Sequence, residues 1–452
     1  MADHFKPLDR DTLFLMPPSV QEWIPDDHLA RFIVDVVAKL DVQPIRARYA
    51  GRGLAAYQPE MMVALLLYGY ATGVFSSRKL ERATYDSVAF RYITANQHPE
   101  HDTISDFRLR FLPQLAALFA QVLLIASESG LLKVGRVSVD GTKIRANASK
   151  HHALSYGHAT KLERRIKAEV TRLLRRAEQA DSSDKSDGID IPAELALREE
   201  RLRVIDEAKT RIREREQERI AAEVHAHEQR MAEREARERE TGRKPGGRPP
   251  KPPSRSIDPT AQINLTDEES RIMPSSDGMI QAYNAQATVD CNSRLLVDSD
   301  VSQRPTDKTL LAPTITALSQ LDAKLGTVTE ILADAGYFSA ANLALCAKAE
   351  MVPYIPHRRE RHAGGLLRFQ EPAALDPNAS IVEATRHRLR TSSGRKIYGE
   401  RKSTIEPAFG TIKQILGFRQ FLLRGIRKVK AEWKIVTTAY NLKKMHKLDL
   451  AC

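Results

Sequence analysis

Apolar residues in the first part of the chain recur at helical spacing. Pro59 suits the first turn of a helix, and apolar residues follow it every three or four positions. They are Met61, Met62, Leu65, Leu66 and Tyr70. Ser76 and Thr103 are polar residues of the kind that begin helices, and each is followed by basic residues such as Arg78 and Arg108. Residues 1–130 are therefore predicted to be mostly helical. Short helices with basic starts are typical of helix-turn-helix modules that meet DNA, but an ordinary bundle with solvated arginines fits equally well.

Shorter apolar runs bounded by turn residues predict strands from about residue 134 onwards. The predicted strands cover 134–140, 283–290, 295–301, 328–334 and 352–355. Residues 291–294 form the predicted hairpin turn between the second and third strands. Asp307 is predicted to cap a helix that reaches about Leu321, and Ser339 to begin another that ends near Ala349. This order predicts an α/β fold, with a mixed sheet and helices on its faces.

A long charged segment separates the first two predicted strands. Its apolar residues form only a narrow stripe at helical spacing, made of Leu162, Ile166, Val170, Leu173, Leu174, Leu202, Ile205 and Ile212. The polar run 181–188 interrupts the stripe, and a second helix is predicted from about Pro192 to Glu240. The pattern favours an antiparallel helical hairpin or a coiled coil. Such a segment is usually a solvated face or a self-association arm, and direct DNA binding is the sharper alternative.

A basic, proline-rich linker follows at residues 243–255, and its composition predicts an extended chain. Its core, Gly247–Arg248–Pro249, is similar to the AT-hook, which lays an arginine along a narrow AT-rich minor groove. Arg248 is therefore a candidate DNA contact. A flexible tether between domains is the alternative interpretation.

Composition narrows the class of partner. The chain has 452 residues, a formal net charge of +12 and a sequence pI near 9.5, which favours a polyanion such as nucleic acid. Cys291, Cys346 and Cys452 are not spaced as zinc ligands or as a disulfide framework. The start of the chain carries no apolar export signal, and the apolar stretch 61–70 is too short to span a bilayer. A cytoplasmic, nucleoid-associated protein that does not enter membranes is expected.

Three acidic residues stand in contexts that suit metal-bound carboxylates. Asp140 and Asp334 end two apolar runs and are followed by Gly141–Thr142 and Ala335–Gly336, whereas Glu406 lies in a basic, helical segment. Two carboxylates at strand ends and one from a helix can hold a pair of hard divalent cations, which in-line attack on a phosphodiester requires. An aspartate before a glycine is also, more often than not, a simple turn.

The helix of Glu406 is predicted to begin near Tyr398. Arg401 precedes Glu406 by five residues and Lys413 follows it by seven, which is two helical turns. One helix face can thus offer a metal ligand and a cation for a neighbouring phosphate.

These residues resemble a DDE transposase of bacterial insertion sequences. The resemblance rests on three motifs: residues 137–142 around Asp140, residues 332–337 around Asp334, and the series Tyr398, Arg401, Glu406, Lys413. This series is similar to the Tyr-Arg-Glu-Lys signature of the IS4/IS5-like group. The helical start, the charged insertion, and the segments 264–273 and 283–286 resemble the IS1182 subgroup. The interval from arginine to glutamate is one residue longer here than usual, so Lys402 is an alternative for the role of Arg401.

The resemblance implies a ribonuclease-H-like core in which Asp140, Asp334 and Glu406 hold two Mg²⁺ or Mn²⁺ ions. It also implies that Tyr398, Arg401 or Lys402, and Lys413 contact the transposon end. The expected activity is cleavage of DNA at the terminal inverted repeats and strand transfer into target DNA, by a homodimer or a larger synaptic complex. Two alternatives stay open: a catalytically silent DNA-binding repressor derived from a transposase, and a nuclease or resolvase of ribonuclease-H type.

The expected domain order follows from these segments. Residues 1–130 form a helical DNA-binding domain, 131–157 begin the catalytic core, and 158–241 are the charged helical insertion. Residues 242–260 are the linker, and 261–452 complete the core and add the C-terminal helices.

Overall fold

The computed structural model describes residues 19–49, 56–181, 191–243, 246–276, 278–358 and 370–450. The chain divides into two compact units. The first combines Met1–Ala146 with Ala282–Cys452, and the second is Asn147–Gln281. The sheet is mixed and the first part of the chain is mostly helical, so the predicted α/β class is confirmed.

Seven helices precede the sheet in the described part of the chain. They are α1 (Leu29–Lys39), α2 (Gln43–Arg46), α3 (Pro59–Thr72), α4 (Ser77–Asp86), α5 (Val88–Ile93), α6 (His101–Arg110) and α7 (Leu112–Glu128). The helix predicted after Pro59 is α3, which is buried on nearly all sides. Ser76 precedes α4 as predicted, although its side chain makes no capping hydrogen bond. Helix α6 begins two residues before the predicted Thr103.

Arg108 of α6 is not a solvated or DNA-facing arginine, because it is buried with only 6% of its surface exposed. Its Nη1 donates hydrogen bonds to the hydroxyl of Tyr70, at 3.3 Å, and to the carbonyl of Phe75, at 3.0 Å. These two hydrogen bonds offset part of the cost of burying the guanidinium, although its Nε is buried with no hydrogen-bond partner among the described residues. Arg108 lies in the last turn of α6, not at its start, and it therefore serves the core of the first unit.

The central sheet has six strands among the described residues. They are β1 (Val134–Arg145), β4 (Arg271–Ser275), β5 (Gly278–Asp290), β6 (Leu296–Ser302), β7 (Gly326–Leu332) and β8 (Val352–Tyr354). Strand β1 lies in the middle and pairs antiparallel with β5 and parallel with β7. Strand β8 continues the parallel side, and β4 and β6 pair with β5. The predicted hairpin between β5 and β6 is confirmed, with Arg294 in the left-handed region at φ 61°.

The prediction that Asp140 ends the first strand is wrong. Strand β1 continues through Gly141 to Arg145, since β5 supplies antiparallel partners along this whole length. In that register Asp140 lies opposite Ala287, and Gly141 lies opposite Gln286. An Asp–Gly pair in the sequence suggests a turn, but a long partner strand holds it extended.

Six further helices of the first unit follow in the described part of the chain. They are α10 (Leu311–Ser319), α11 (Ala340–Lys348), α12 (Ile381–Arg390), α13 (Ser392–Gly399), α14 (Arg401–Gly410) and α15 (Ile426–Asp449). Helix α15 packs against α3, α7 and β6. Its Trp433 is fully buried and donates from Nε1 to the carbonyl of Gln286 at 2.9 Å. Ser339 caps α11 as predicted, with its hydroxyl accepting from the N–H of Asn342.

Two helix predictions in this part of the chain are wrong in detail. Asp307 does not cap α10, which begins four residues later at Leu311. The helix of Glu406 does not run unbroken from Tyr398, because α13 ends at Gly399 and α14 begins at Arg401. A π-helical turn, Thr411–Ile415, then follows α14. Its extra residue per turn changes the register, so Lys413 does not share a regular α-helical face with Glu406.

The second unit is built on two helices, α8 (Tyr156–Asp181) and α9 (Ile191–Thr241), with a small pair of strands, β2 (Ala153–Ser155) and β3 (Gln262–Asn264). Side-chain pairs show that the helices run antiparallel. Glu169 lies 3.3 Å from Arg198, and Glu163, six residues earlier in α8, lies 2.5 Å from Lys209, which is later in α9. Helices α8 and α9 therefore lie antiparallel to each other.

No single described helix is long and apolar enough to cross a membrane, and only α6 and α7 taken together, bent by 72°, pass such a test by length and composition.

Candidate active site

The sheet register brings two of the predicted acids together. In the parallel pair of β1 and β7, Ser138 lies opposite Leu332. Asp140 and Asp334 each follow two residues later, and neighbouring strands lie about 5 Å apart. Asp140 and Asp334 therefore lie side by side, just beyond the last paired residues of β1 and β7. Asp334 is already outside the strand, where its carboxylate accepts a hydrogen bond from the N–H of Gly336 at 2.8 Å.

Helix α14 adds an arginine and the third acid to this place. The Nη2 atom of Arg401 lies 2.5 Å from Oδ2 of Asp140, and its Nη1 atom lies 3.9 Å from Oε1 of Glu406. The side chains of Asp140 and Arg401 are 20% and 13% exposed, whereas that of Glu406 is 54% exposed. One guanidinium thus stands between an almost buried carboxylate and a solvent-facing one.

Electrostatics tie the same groups together. Burial raises the pKa of Asp140 to about 6, Arg401 opposes this shift, and the negative charges of Asp334 and Asp307 add to it. Burial also raises the pKa of the Tyr398 hydroxyl, and that group again senses Arg401, Asp334 and Asp140. These five side chains therefore lie within electrostatic reach of one another.

A polar network beside Asp140 was not found in the sequence. Oδ1 of Asp307 accepts hydrogen bonds from Asn284 at 2.6 Å and from Gln286 at 3.0 Å, and Lys143 lies 3.6 Å away. The hydroxyl of Tyr337 donates a hydrogen bond to the side-chain oxygen, Oε1, of Gln286 at 2.5 Å. The sequence signals at 284 and 286 are the alternation of polar residues along β5, which a half-buried strand shows without any site, and the family resemblance of the segment 283–286, which does not indicate this network.

Gly141 makes the close approach of this network possible. A Cβ at this position would lie 2.0 Å from Nε2 of Gln286, 2.7 Å from Oδ1 of Asp307 and 2.8 Å from Oδ1 of Asn284. The glycine next to Asp140 is needed for space and not for a turn.

A second ion-pair group braces α14 against the sheet. Arg136 of β1 donates from Nε to Glu330 of β7 at 2.5 Å and from Nη1 to Glu400 at 2.8 Å. Glu400 immediately precedes Arg401, so Arg136 fixes the start of α14 beside the first residues of β1 and the last residues of β7. None of the three residues stands out in the sequence as part of a site.

The other predicted DNA contacts lie in different surroundings. Lys402 is exposed. Lys413 is half-buried, and its Nζ donates to the carbonyl of Lys143 at 3.0 Å. Tyr398 is half-buried beside Arg401. Arg248 is exposed and belongs to the second unit.

The donor chemistry of the site suits a hard divalent cation, because carboxylate oxygens are the ligands that Mg²⁺ and Mn²⁺ prefer. The burial of Asp140 near two other acids disfavours its charged form, and a cation there would relieve that cost. In the described residues Arg401 supplies the positive charge, and no group of three His, Cys, Asp or Glu side chains is arranged to hold a metal ion.

Two domain families match the chain. A family described as "Transposase domain (DUF772)" matches residues 18–110, and one described as "Transposase DDE domain" matches residues 372–446. No curated protein and no solved structure matches the chain. The second match contains Tyr398, Arg401, Glu406 and Lys413, whereas Asp140 and Asp334 lie outside both.

The chain therefore carries the domains of a DDE transposase of an insertion sequence, in an IS1182-like layout. These matches support a transposase function in general.

Proposed function

We propose that this protein cuts DNA at the terminal inverted repeats of its insertion sequence and joins the freed ends to target DNA. The observation that carries the proposal is the meeting of Asp140, Arg401 and Glu406 at the place where Asp334 leaves the sheet. The mixed sheet, with β1 in its middle and helices on its faces, supports a ribonuclease-H-like core.

Asp140, Asp334 and Glu406 would hold two Mg²⁺ or Mn²⁺ ions, which when bound activate a nucleophile and neutralise charge on the scissile phosphate. Arg401 keeps the Asp140 carboxylate ionised and oriented toward α14. Arg136 holds Glu400, and with it the start of α14, beside the first residues of β1 and the last residues of β7.

DNA binding would be shared between the active site and other basic residues. Tyr398, Arg401 or Lys402, and Lys413 are the proposed contacts to the element end, and Arg248 is a contact farther along the chain. Lys402 is exposed and is the one best placed to reach a phosphate directly. The N-terminal helices are proposed to read base edges. Since two element ends must be joined, we propose a homodimer or larger synaptic complex acting at the nucleoid in the cytoplasm.

The test uses duplex DNA that carries the inverted repeats flanking the coding region. Asp140→Asn, Asp334→Asn and Glu406→Gln are each expected to abolish Mg²⁺- or Mn²⁺-dependent cleavage while DNA binding persists. Asp298→Asn and Asp300→Asn are the matched controls, because these carboxylates pair with Lys434 at 3.4 Å and Lys430 at 2.8 Å. Full cleavage by any of the three active-site variants contradicts the assignment, as does cleavage that does not depend on the repeats, which indicates a nuclease or resolvase.

A catalytically silent DNA-binding repressor is the second candidate. The ion pair of Arg401 with Asp140 favours it, because a guanidinium there satisfies the carboxylate without a metal. If the protein is such a repressor, the unaltered chain should bind the element ends normally and should not cleave them with any divalent metal.

A further inference from the structure

The proline-rich linker is tied to helix α9 at two separated points. Near its start, Nη2 of Arg234 donates to the carbonyl of Gly247 at 2.9 Å. Near its end, the N–H of Asp258 donates to Oε2 of Glu216 at 3.3 Å. The two anchor points on the helix are 18 residues apart, which is about 27 Å of α-helix. The 11 residues from Gly247 to Asp258 reach about 34 Å as polyproline II, so the linker runs back along α9 in a nearly extended form.

Burial along the linker fits a polyproline II strand that lies on the helix. Pro250, Pro253 and Ile257 are half-buried, whereas Arg248, Lys251 and Arg255 are exposed. Polyproline II has three residues per turn, so residues 250 and 253 share one edge while 248 and 251 point elsewhere. The helix carries a matching half-buried stripe at spacings of three and four residues, made of Ile220, Val224, His227, Met231 and Arg234. We call residues 246–257 the strap.

The exposed side of the strap carries only positive charges, whereas the helix beneath it carries charges of both signs. Acids and arginines alternate along α9, and several pair with each other: Arg219 with Glu216 and Glu223, and Arg239 with Glu235. Arg248, Lys251 and Arg255 make no ion pair with any residue that the structure describes. A row of exposed cations on a held, extended backbone is suited to a polyanion.

We propose that the strap binds the phosphate backbone of duplex DNA, with Arg248, Lys251 and Arg255 each facing a different phosphate. Successive cations are separated by about 9 and 12 Å of polyproline II. The strap does not act as an AT-hook, because α9 lies behind it. A helix about 10–12 Å across does not follow the strap into a minor groove about 6 Å wide. The inference rests on the proposed function in one respect, namely that this chain binds DNA.

Holding the strap in advance is what distinguishes it from a flexible tether. A free linker would lose conformational freedom in every residue that lined up on DNA. The strap is already extended against α9, so most of this conformational freedom is lost when the second unit folds and not when DNA binds. Its cations are therefore expected to contribute more to affinity than the same charges on a free linker.

The experiment measures DNA binding by the full chain, by fluorescence anisotropy of a labelled duplex with Ca²⁺ in place of Mg²⁺. The test variant is Arg248→Gln, Lys251→Gln, Arg255→Gln. The matched control, Arg172→Gln, Arg175→Gln, Arg176→Gln, removes the same charge from exposed positions on α8 of the same unit. Affinity is measured between about 50 and 200 mM salt, on an AT-rich and a GC-rich duplex.

The strap variant is expected to reduce the slope of log affinity against log salt by about 2 to 3, since each lost phosphate contact removes about 0.9. The control should keep the slope of the unaltered chain, and the loss should be equal on both duplexes. A strap variant whose slope matches that of the control overturns the proposal. So does a loss confined to the AT-rich duplex, which indicates minor-groove insertion.

A second variant separates charge from geometry. Pro250→Gly with Pro253→Gly keeps all three cations but loosens the strap, and is expected to weaken binding at every salt concentration. Unchanged affinity in this variant overturns the role of the held strap. These outcomes are independent of the cleavage assay with the active-site variants. Only a complete absence of salt-dependent DNA binding by the unaltered chain counts against the proposed function as well.

Discussion

Replacing Gly141 by alanine tests how the structure holds Asp140 in place. The added Cβ would lie 2.0 Å from Nε2 of Gln286, a distance that forces this side chain to move. Gln286 is buried and held by Tyr337, Asn284 and Asp307, so it cannot swing away without losing hydrogen bonds. Overpacking of this kind costs about 1–3 kcal/mol, and each lost hydrogen bond adds about 1 kcal/mol. The expected loss in the free energy of unfolding is therefore about 2–4 kcal/mol.

Gly135→Ala is the control in the same strand, because nothing lies within 4 Å of a Cβ placed there. It is expected to change the free energy of unfolding by less than about 1 kcal/mol, in the stabilising direction if the backbone accepts alanine. Urea unfolding followed by circular dichroism measures both variants. In a double-mutant cycle, Gly141→Ala should cost much less when Gln286 is already alanine. A steric conflict between residues 141 and 286 is refuted if the Gly141 and Gly135 variants agree within about 0.5 kcal/mol, or if the two effects at 141 and 286 simply add.

Three further predictions concern charged side chains. Burial raises the pKa of Glu432 to about 7, so the folded state binds this proton more tightly than the unfolded state. Stability should fall by about 3 kcal/mol as the pH rises from about 4.5 to 7. Glu432→Gln should remove that slope in unfolding curves measured across this range, and an unaltered slope contradicts the assignment. Arg136→Met leaves the carboxylates of Glu330 and Glu400 facing each other without their cation. It is expected to destabilise the protein by about 2 kcal/mol in urea unfolding, less than a fully buried pair would, and a change below about 0.5 kcal/mol would show that the brace is dispensable. Lys402→Gln should weaken DNA binding and reduce its salt slope by about 1, whereas Arg401→Gln should impair cleavage with little change in that slope, because Arg401 is turned toward Asp140. The reverse pattern of salt slopes would show that Arg401 is the phosphate contact.

Local patterns were sufficient for most of the secondary structure. The apolar spacing after Pro59 predicts α3, the turn residues at 291–294 predict the hairpin of β5 and β6, and Ser339 predicts the start of α11. In each case the residues that decide the structure are neighbours along the chain. Periodicity, turn chemistry and capping are local properties, so the sequence alone is enough to detect them.

Local patterns failed where a distant segment overrides them. Asp140–Gly141 suggests a turn, but it is held extended by a strand that begins more than 130 residues later. Asp307 suggests a helix cap, yet its carboxylate is taken by Asn284 and Gln286. The linker suggests a tether, but it is tied at both ends to α9. None of these partners lies within reach of a sequence window.

The sequence by itself determined the order of helices and strands, the basic character of the chain and the three acids that a metal-dependent reaction would need. Tertiary structure alone decided which charges meet. The pairing of Ser138 with Leu332 places Asp140 beside Asp334. The ion pair of Arg136 with Glu400 positions Arg401 next to Asp140. Electrostatic interaction depends on distance through space, and residues 140 and 401 become neighbours only when the sheet and α14 are packed together.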